Sequence, residues 1–325
     1  MKAKAFRFEK PGGVSVMKWQ DVEVGKPKKG EALVRHTAIG LNYIDTYHRS
    51  GLYPLPMPSG IGTEGAGIVE AVGAGVGHVK VGDRVAYAGG PLGSYSEARV
   101  MPAHVLIKIP NGISDQEAAA MMLKGMTTEY LIRRTYRAKK GETVLFHAAA
   151  GGVGLIAGQW LKALGVTAIG TASNAAKIKL AKAHGYEHMI NYAKQDFVKA
   201  VKRITKGAGV PVVYDGVGKS TWEGSLDCLQ PRGMMVSYGN ASGAVPPIAP
   251  TVLSAKGSIY LTRPTLFSYV ATRADLELSA RSLFKVVKSG DVKIEVNQTY
   301  PLKHARKAHS DLQNRKTTGS TVLIP

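Results

Sequence analysis

One cysteine, Cys228, is all that this 325-residue chain contains. A lone thiol excludes an intramolecular disulfide and any cysteine-built zinc or iron–sulfur centre. It fits a reducing compartment, and the cytoplasm is the expectation. Nowhere do about 18 apolar residues run together, so no segment reads as a membrane-spanning helix. The early bases Lys2, Lys4 and Arg7 are not followed by an apolar stretch, so the start of the chain does not read as a secretory signal. Acidic residues are scarce: 23 Asp and Glu face 43 Lys and Arg, for a net charge of +20. The bases are scattered, and the densest groups, Lys26-Pro27-Lys28-Lys29 and Arg133-Arg134, are short. The charge therefore reads as a solvated basic surface that also attracts anionic small molecules, with nucleic acid as the other partner it admits. Aromatics make up 7% of the chain and no RNA-recognition module is visible, so base-stacking platforms are not evident.

What is present is ordinary globular material. Forty-four per cent of residues are hydrophobic and 20% charged, which excludes a disordered chain, and the length suits two domains of roughly 150 residues. Glycine is abundant, 38 residues without a three-residue period, which implies many tight turns. Up to residue 124 the chain shows short β-like runs such as 32–36, 67–72 and 83–87, punctuated by glycine and proline. From about 125 strands and helices alternate: strands at 143–148, 166–172, 188–191, 210–214, 234–239 and 258–262, helices at 155–164, 175–184, 197–205 and 222–229. Repeated βα units predict a parallel sheet with helices on both faces. After Arg263-Pro264 come two helical stretches, a strand region at 292–300 and a terminal strand at 320–324. These do not continue the rhythm, so residues 265–325 are expected to rejoin 1–124 in one domain, with 125–264 inserted as the other.

Between the strand ending at 148 and the helix beginning at 155 lies Ala148-Ala149-Ala150-Gly151-Gly152-Val153-Gly154. Small residues at 148, 151 and 154 match a dinucleotide-binding loop of the form A-x-x-G-x-x-G. Such a loop needs a tight turn, a backbone close to the pyrophosphate, and a helix N-terminus facing the anion. An NAD site carries an acid about 20 residues further on, for the ribose 2′-hydroxyl. Here that strand ends Gly170-Thr171-Ala172-Ser173-Asn174, with Lys177 one helical turn later and no carboxylate. Neutral and basic groups suit a 2′-phosphate, which favours NADPH over NADH, with a solvated helix lysine as the alternative account of Lys177. Gly218-Lys219-Ser220-Thr221 imitates the end of a P-loop, but Val213 stands where that motif needs glycine. His184 and His188 read as surface histidines because Gly185 separates them, and Cys228 reads as core.

Together these residues identify the chain as resembling the medium-chain dehydrogenase/reductase superfamily, most closely its zinc-free, zeta-crystallin-like NADPH:quinone oxidoreductases. The resemblance rests on Gly40-Leu41-Asn42-Tyr43-Ile44-Asp45, Gly62-Thr63-Glu64-Gly65-Ala66-Gly67, Val81-Gly82-Asp83-Arg84-Val85, the loop 147–154, Tyr214-Asp215-Gly216-Val217-Gly218 and the segment 319–325. It implies an α/β protein with a β-rich GroES-like catalytic domain and a doubly wound Rossmann-type cofactor domain. Zinc-dependent relatives place cysteine where this chain has Asn42 and histidine where it has Thr63, so no metal is expected. The resemblance also implies that Asn42, Tyr47 and Tyr53 line the substrate site. Around NADPH it places Asn42, Tyr130, Gly151, Gly152, Val153, Gly154, Ser173, Asn174, Lys177, Tyr192, Val217, Arg263 and Arg315. The implied reaction is hydride transfer to an electron-poor quinone. Reduction of α,β-unsaturated carbonyls is the alternative within the same chemistry, and RNA binding through the basic surface is the alternative of a different class. A homodimer joined through the strand at 258–262 is expected, as in similar proteins.

Overall fold

A computed structural model describes all 325 residues. In chain order the strands are β1 (Lys2–Phe8), β2 (Lys18–Glu23), β3 (Glu31–Leu41), β4 (Ser59–Gly60), β5 (Glu64–Val72), β6 (Arg84–Ala88), β7 (Ala98–Pro102), β8 (Ile107–Lys108), β9 (Thr143–Phe146), β10 (Thr167–Ala172), β11 (His188–Asn191), β12 (Val210–Asp215), β13 (Leu229–Ser237), β14 (Tyr260–Thr262), β15 (Val296–Pro301) and β16 (Ser320–Ile324). The helices are α1 (Tyr43–Ser50), α2 (Asp115–Tyr130), α3 (Gly152–Ala163), α4 (Ala175–Ala183), α5 (Phe197–Ile204), α6 (Trp222–Asp227), α7 (Thr251–Ala255), α8 (Leu266–Tyr269), α9 (Arg273–Lys288) and α10 (Ala305–Gln313). The chain divides into two compact units: Met1–Lys124 with Val270–Phe284 and Ile294–Pro325, and Gly125–Tyr269 with Lys285–Lys293. The second crossing thus comes at 269 rather than 264, and the end of α9 belongs to the second unit.

The first unit holds two sheets, a three-stranded one ordered β2-β1-β4 and a seven-stranded one ordered β15-β16-β3-β5-β6-β8, with β7 also paired to β3. β3 pairs antiparallel with β5, β7 and β16, so most of its side chains are buried. Phe6, Phe8, Met17, Ile39, Ile61 and Tyr95 fill one core and Val34, Val69, Val85, Tyr87 and Met101 another. His36 lies within this unit, fully enclosed. Its Nδ1 donates to the Ser96 carbonyl at 2.6 Å, so Nε2 must accept the Tyr87 hydroxyl at 2.7 Å.

The second unit is the parallel sheet that the βα rhythm predicts. Its order, β11-β10-β9-β12-β13-β14, is the 3-2-1-4-5-6 sequence of a doubly wound fold. Helices cover both faces of such a sheet, which is why Val144, Leu145, Phe146, Val212 and Val213 have no exposed surface. Gly165 and Gly185 end α3 and α4 with positive φ of 72° and 96°, conformations that glycine adopts without a Cβ clash. Asp196 starts α5 by accepting the Val198 and Lys199 amides at 2.8 and 3.2 Å.

Several expectations need correction. α1, α2 and α10 carry no expected helix in the sequence reading. In α2 the run Ala118, Ala119, Ala120, Met121, Met122 is buried on every side, so the polar face that would betray a helical period is missing. β13 begins five residues earlier than expected, where α6 stops. His184 is buried rather than on the surface: its Nδ1 meets the Leu180 carbonyl at 2.8 Å.

Burial pushes the His36 pKa down to about 4, against an ordinary value of 6.5. Between those values the unfolded chain binds a proton that the folded chain refuses, so stability is lost as pH falls through 6.5 toward 4. We predict that from pH 6.5 to 4.5 the protein loses ~2–3 kcal/mol more stability than its His36→Gln variant. Urea unfolding at the two pH values measures this, and parallel losses in both proteins would contradict it.

Candidate active site

In the first unit β3 delivers the chain to Asn42, which has extended backbone (φ −128°, ψ 154°) and stands as the N-cap of α1. The Asn42 amide N–H donates to Asp45 Oδ2 at 2.9 Å, and the Tyr95 hydroxyl donates to the same oxygen at 2.9 Å. His309 Nε2 stands 3.0 Å from the Tyr95 oxygen, so this buried line of groups ties α1 to α10. Burial raises the Asp45 carboxyl to about 7 and lowers His309 to about 3.

Tyr43 and Tyr47 lie four residues apart on α1, on one helical face, with ring centroids 5.5 Å apart. Gly51 then takes φ +86° and donates to the Tyr47 carbonyl at 3.1 Å, which turns the chain back. Tyr53 N–H reaches the same carbonyl at 3.2 Å, and the Tyr53 ring meets Tyr47 edge-on at 5.1 Å. The structure therefore brings Asn42, Tyr47 and Tyr53 together on one helix and its following turn. Sequence reasoning missed Tyr43 as a fourth member, although its spacing from Tyr47 signals it. Burial pushes the Tyr43 hydroxyl up, opposed by the charge of Arg315, which places exposed Arg315 near this group.

Beneath Asn42 lies a charge cluster that the sequence reading also missed. Glu64 has no exposed surface. Its Oε2 accepts Asn42 Nδ2 at 2.7 Å and Lys124 Nζ at 3.2 Å, and its Oε1 accepts the Leu123 amide at 2.6 Å. Gly40 makes room: a Cβ there would overlap the Glu64 carboxylate and the Ala119 carbonyl. Thr63 Oγ1 is buried without a hydrogen-bond partner. These residues do not fit a zinc ion. The Asn42 nitrogen that faces Glu64 is a donor, and the Lys124 ammonium bonded to Glu64 would repel a second cation. No cluster of three or more His, Cys, Asp and Glu side chains able to hold a metal occurs in the structure.

In the second unit the glycine loop connects β9 to α3. Ala148 takes φ +55°, and Gly151 N-caps the helix. A Cβ on Gly154 would run into the Ala148 and Ala149 carbonyl groups. Glycine therefore lets α3 start tight against the loop, with the first-turn N–H groups of Gly152, Val153 and Gly154 directed out of the helix end. Asn174 caps α4, its Oδ1 accepting the Lys177 amide at 2.9 Å. Exposed Tyr192 donates its N–H to the Ala172 carbonyl at 3.2 Å, which holds it beside Ser173 and Asn174 at the end of β10. Val217 follows β12. β10, β9 and β12 are adjacent parallel strands, so all these residues gather at their carboxyl ends, where the strand order reverses and doubly wound proteins bind nucleotides. The residues fit a dinucleotide. Tyr130 is buried and stacked on Tyr269 at 4.4 Å, with the Arg263 charge nearby.

His147, just before the loop, was not singled out in the sequence. Ser225 Oγ donates to Asp215 Oδ2 at 2.8 Å and so accepts from His147 Nε2 at 3.0 Å, which leaves Nδ1 to accept the Thr171 hydroxyl at 3.0 Å. Asp215 Oδ1 takes the Val217 and Gly218 amides at 2.7 and 3.0 Å. This chain fixes the loops after β9 and β12 from beneath. Its members look unrelated until the sheet aligns them. Gly218–Thr221, the imitation P-loop, serves the same network: the Thr221 hydroxyl donates to Asp215 at 2.7 Å.

Comparison with known proteins agrees with both halves. Residues 28–111 match the alcohol dehydrogenase GroES-like domain and residues 152–279 the zinc-binding dehydrogenase domain. The chain is 54% identical to a quinone oxidoreductase of Pseudomonas aeruginosa, covering 99% of this chain and 100% of that one. It is 46% identical to a 2-haloacrylate reductase of a Burkholderia species, over 98% of each. The solved structure of the Escherichia coli quinone oxidoreductase complexed with NADPH superposes with a TM-score of 0.98 at 51% identity, covering 99% of this chain and 100% of that one. The chain belongs to the quinone oxidoreductase family of medium-chain dehydrogenases/reductases.

Proposed function

We propose that this protein is an NADPH-dependent quinone reductase that works without a metal. The observation that carries this reading is the first-unit site, where the rings of Tyr43, Tyr47 and Tyr53 adjoin a polar cluster that has an internal ammonium and no metal-ligand set. NADPH, when bound, supplies a hydride from nicotinamide C4. An alkoxide product is strongly basic and calls for a Lewis acid, whereas a quinol anion spreads its charge into an aromatic ring and needs none. The protein's share is then orientation. Tyr47 and Tyr53 give flat walls with polar tips, and Asn42 Oδ1 accepts a ribose hydroxyl of the cofactor. The quinol anion takes its proton from water, with the Tyr53 hydroxyl serving as part of a wall. The relative named 2-haloacrylate reductase favours a second substrate class, electron-poor alkenes conjugated to a carbonyl group.

The nucleotide end of the site sets the cofactor. Gly151, Gly152, Val153 and Gly154 take the pyrophosphate, Ser173, Asn174 and Lys177 the 2′-phosphate, and Tyr192 the adenine. Val217, Tyr130, Arg263 and Arg315 complete the proposed contacts. NADPH should bind at least about tenfold tighter than NADH, since a charge-assisted contact is worth ~1.5–3 kcal/mol. Lys177→Ala should narrow the gap by weakening NADPH alone. Titration of both cofactors by fluorescence measures it, and equal dissociation constants in the unmutated protein would defeat the assignment.

Quinone turnover should survive exhaustive chelation, and elemental analysis of the active protein should find no stoichiometric zinc. Loss of activity on chelation, restored by zinc, would refute the metal-free reading.

We further propose a cytoplasmic homodimer joined through β14. This strand is the edge of the six-stranded sheet, with Tyr260 and Leu261 60% and 38% exposed, and an apolar edge invites pairing across a two-fold axis. Leu261→Asp should convert the dimer to a monomer in sedimentation at micromolar concentration. A monomeric unmutated protein, or a variant that stays dimeric, would count against this arrangement.

A further inference from the structure

We infer that Glu64 and Lys124 are positioning residues: a buried ion pair that locks the Asn42 amide with its oxygen available to an incoming hydroxyl. The inference rests on the proposed NADPH-dependent reduction. A carboxylate only accepts hydrogen bonds, so the end of the Asn42 amide that meets Glu64 Oε2 at 2.7 Å must be the nitrogen. The second proton of that nitrogen lies toward the Gly40 carbonyl, 3.5 Å away. Both amide protons are thus directed inward, and Asn42 Oδ1, which faces the Asp45 backbone N–H in the capping box of α1, keeps a second lone pair to accept. The same residue with its amide flipped would offer two donors to the ligand instead.

The lock depends on Glu64 being ionised while fully enclosed. The Leu123 amide on Oε1 and the Lys124 ammonium on Oε2 keep it so. Lys124 is itself only 6% exposed, so the carboxylate and the ammonium offset each other's burial. Glutamine at 64 cannot reproduce the arrangement. It has one acceptor end, which can face the Leu123 N–H or the Asn42 amide, but not both. Either Leu123 meets a donor or the Asn42 amide turns over. The pair is therefore more than packing, because its charge state decides which atom of Asn42 is on offer.

Three variants separate positioning from stability. Lys124→Met leaves a buried carboxylate uncompensated and should lower the thermal midpoint by about 5 °C or more. Glu64→Gln should do likewise, because it takes the negative charge away from a buried ammonium. The double variant Glu64→Gln/Lys124→Met removes both charges, and most of the lost midpoint should return. Its quinone turnover should nonetheless stay about ten- to a hundredfold below that of the unmutated protein, the cost of a misplaced reacting group. A second readout is independent of turnover. In protein labelled with ¹⁵N-asparagine, one side-chain amide resonance, identified by its disappearance in Asn42→Ser, should lie far downfield in the unmutated protein and move upfield in the double variant. A double variant that regains both stability and turnover, or an Asn42 amide indifferent to loss of Glu64, overturns the inference. If the unmutated protein fails to oxidise NADPH with quinones while the amide resonance behaves as expected, the proposed reaction fails and the lock stands.

Discussion

The carboxylate of Glu64 has no contact with solvent, and the end of the first unit around Asn42 is organised around pairing it. A buried, unpaired carboxylate would be neutralised or would unfold its surroundings. Gly40 gives up its side chain to admit it, the start of β5 aims it, and α2 brings the Leu123 amide and the Lys124 ammonium to its two oxygens. Asn42 is the third partner, and Asn42 also begins α1, the helix that carries Tyr43 and Tyr47. A single buried charge thus connects β3, β5, α1 and α2, and the residues proposed to handle substrate are borne on the same frame.

The second unit solves a parallel problem with neutral groups. Asp215 ends β12 with both oxygens occupied by two backbone amides and two hydroxyls. Ser225 passes that order to His147, and His147 to Thr171. The loops after β9 and β12, which carry residues proposed to hold the nucleotide, are therefore held by a continuous hydrogen-bond chain running through the carboxyl end of the sheet. Burial keeps His147 on the neutral side by lowering its pKa against the pull of Asp215. A neutral imidazole is what the chain requires, since one nitrogen donates and the other accepts. In each unit a buried carboxylate, Glu64 or Asp215, has both oxygens hydrogen-bonded beneath the residues proposed to meet ligands.

What the sequence makes legible follows from local physics. The parallel sheet can be read because β9 and β12 are continuous apolar runs and because Gly165 and Gly185 end helices where only glycine is comfortable. The glycine loop can be read because its spacing records a backbone approach, and the lack of an acid after β10 is visible by inspection. α2 is hidden because burial on all sides erases its period. Lys124 and His147 are hidden for a different reason: their partners are 60 and 78 residues away, and no spacing rule connects them. Lys124 in particular reads as one more base in a chain with 43 of them. His184 misleads in the opposite sense, since a polar residue beside glycine suggests solvent, yet a carbonyl one turn back satisfies it in the interior.

The central claim is that hydride passes to an acceptor whose product anion needs no Lewis acid. Stopped-flow mixing of the NADPH-loaded protein, its metal content verified as nil, with para-quinones, ortho-quinones, conjugated enones and simple ketones tests it most directly. The account predicts stoichiometric loss of nicotinamide absorbance with the quinones, slower loss with the enones and none with the ketones. Ketone reduction as fast as quinone reduction, or no oxidation with any quinone, would contradict it.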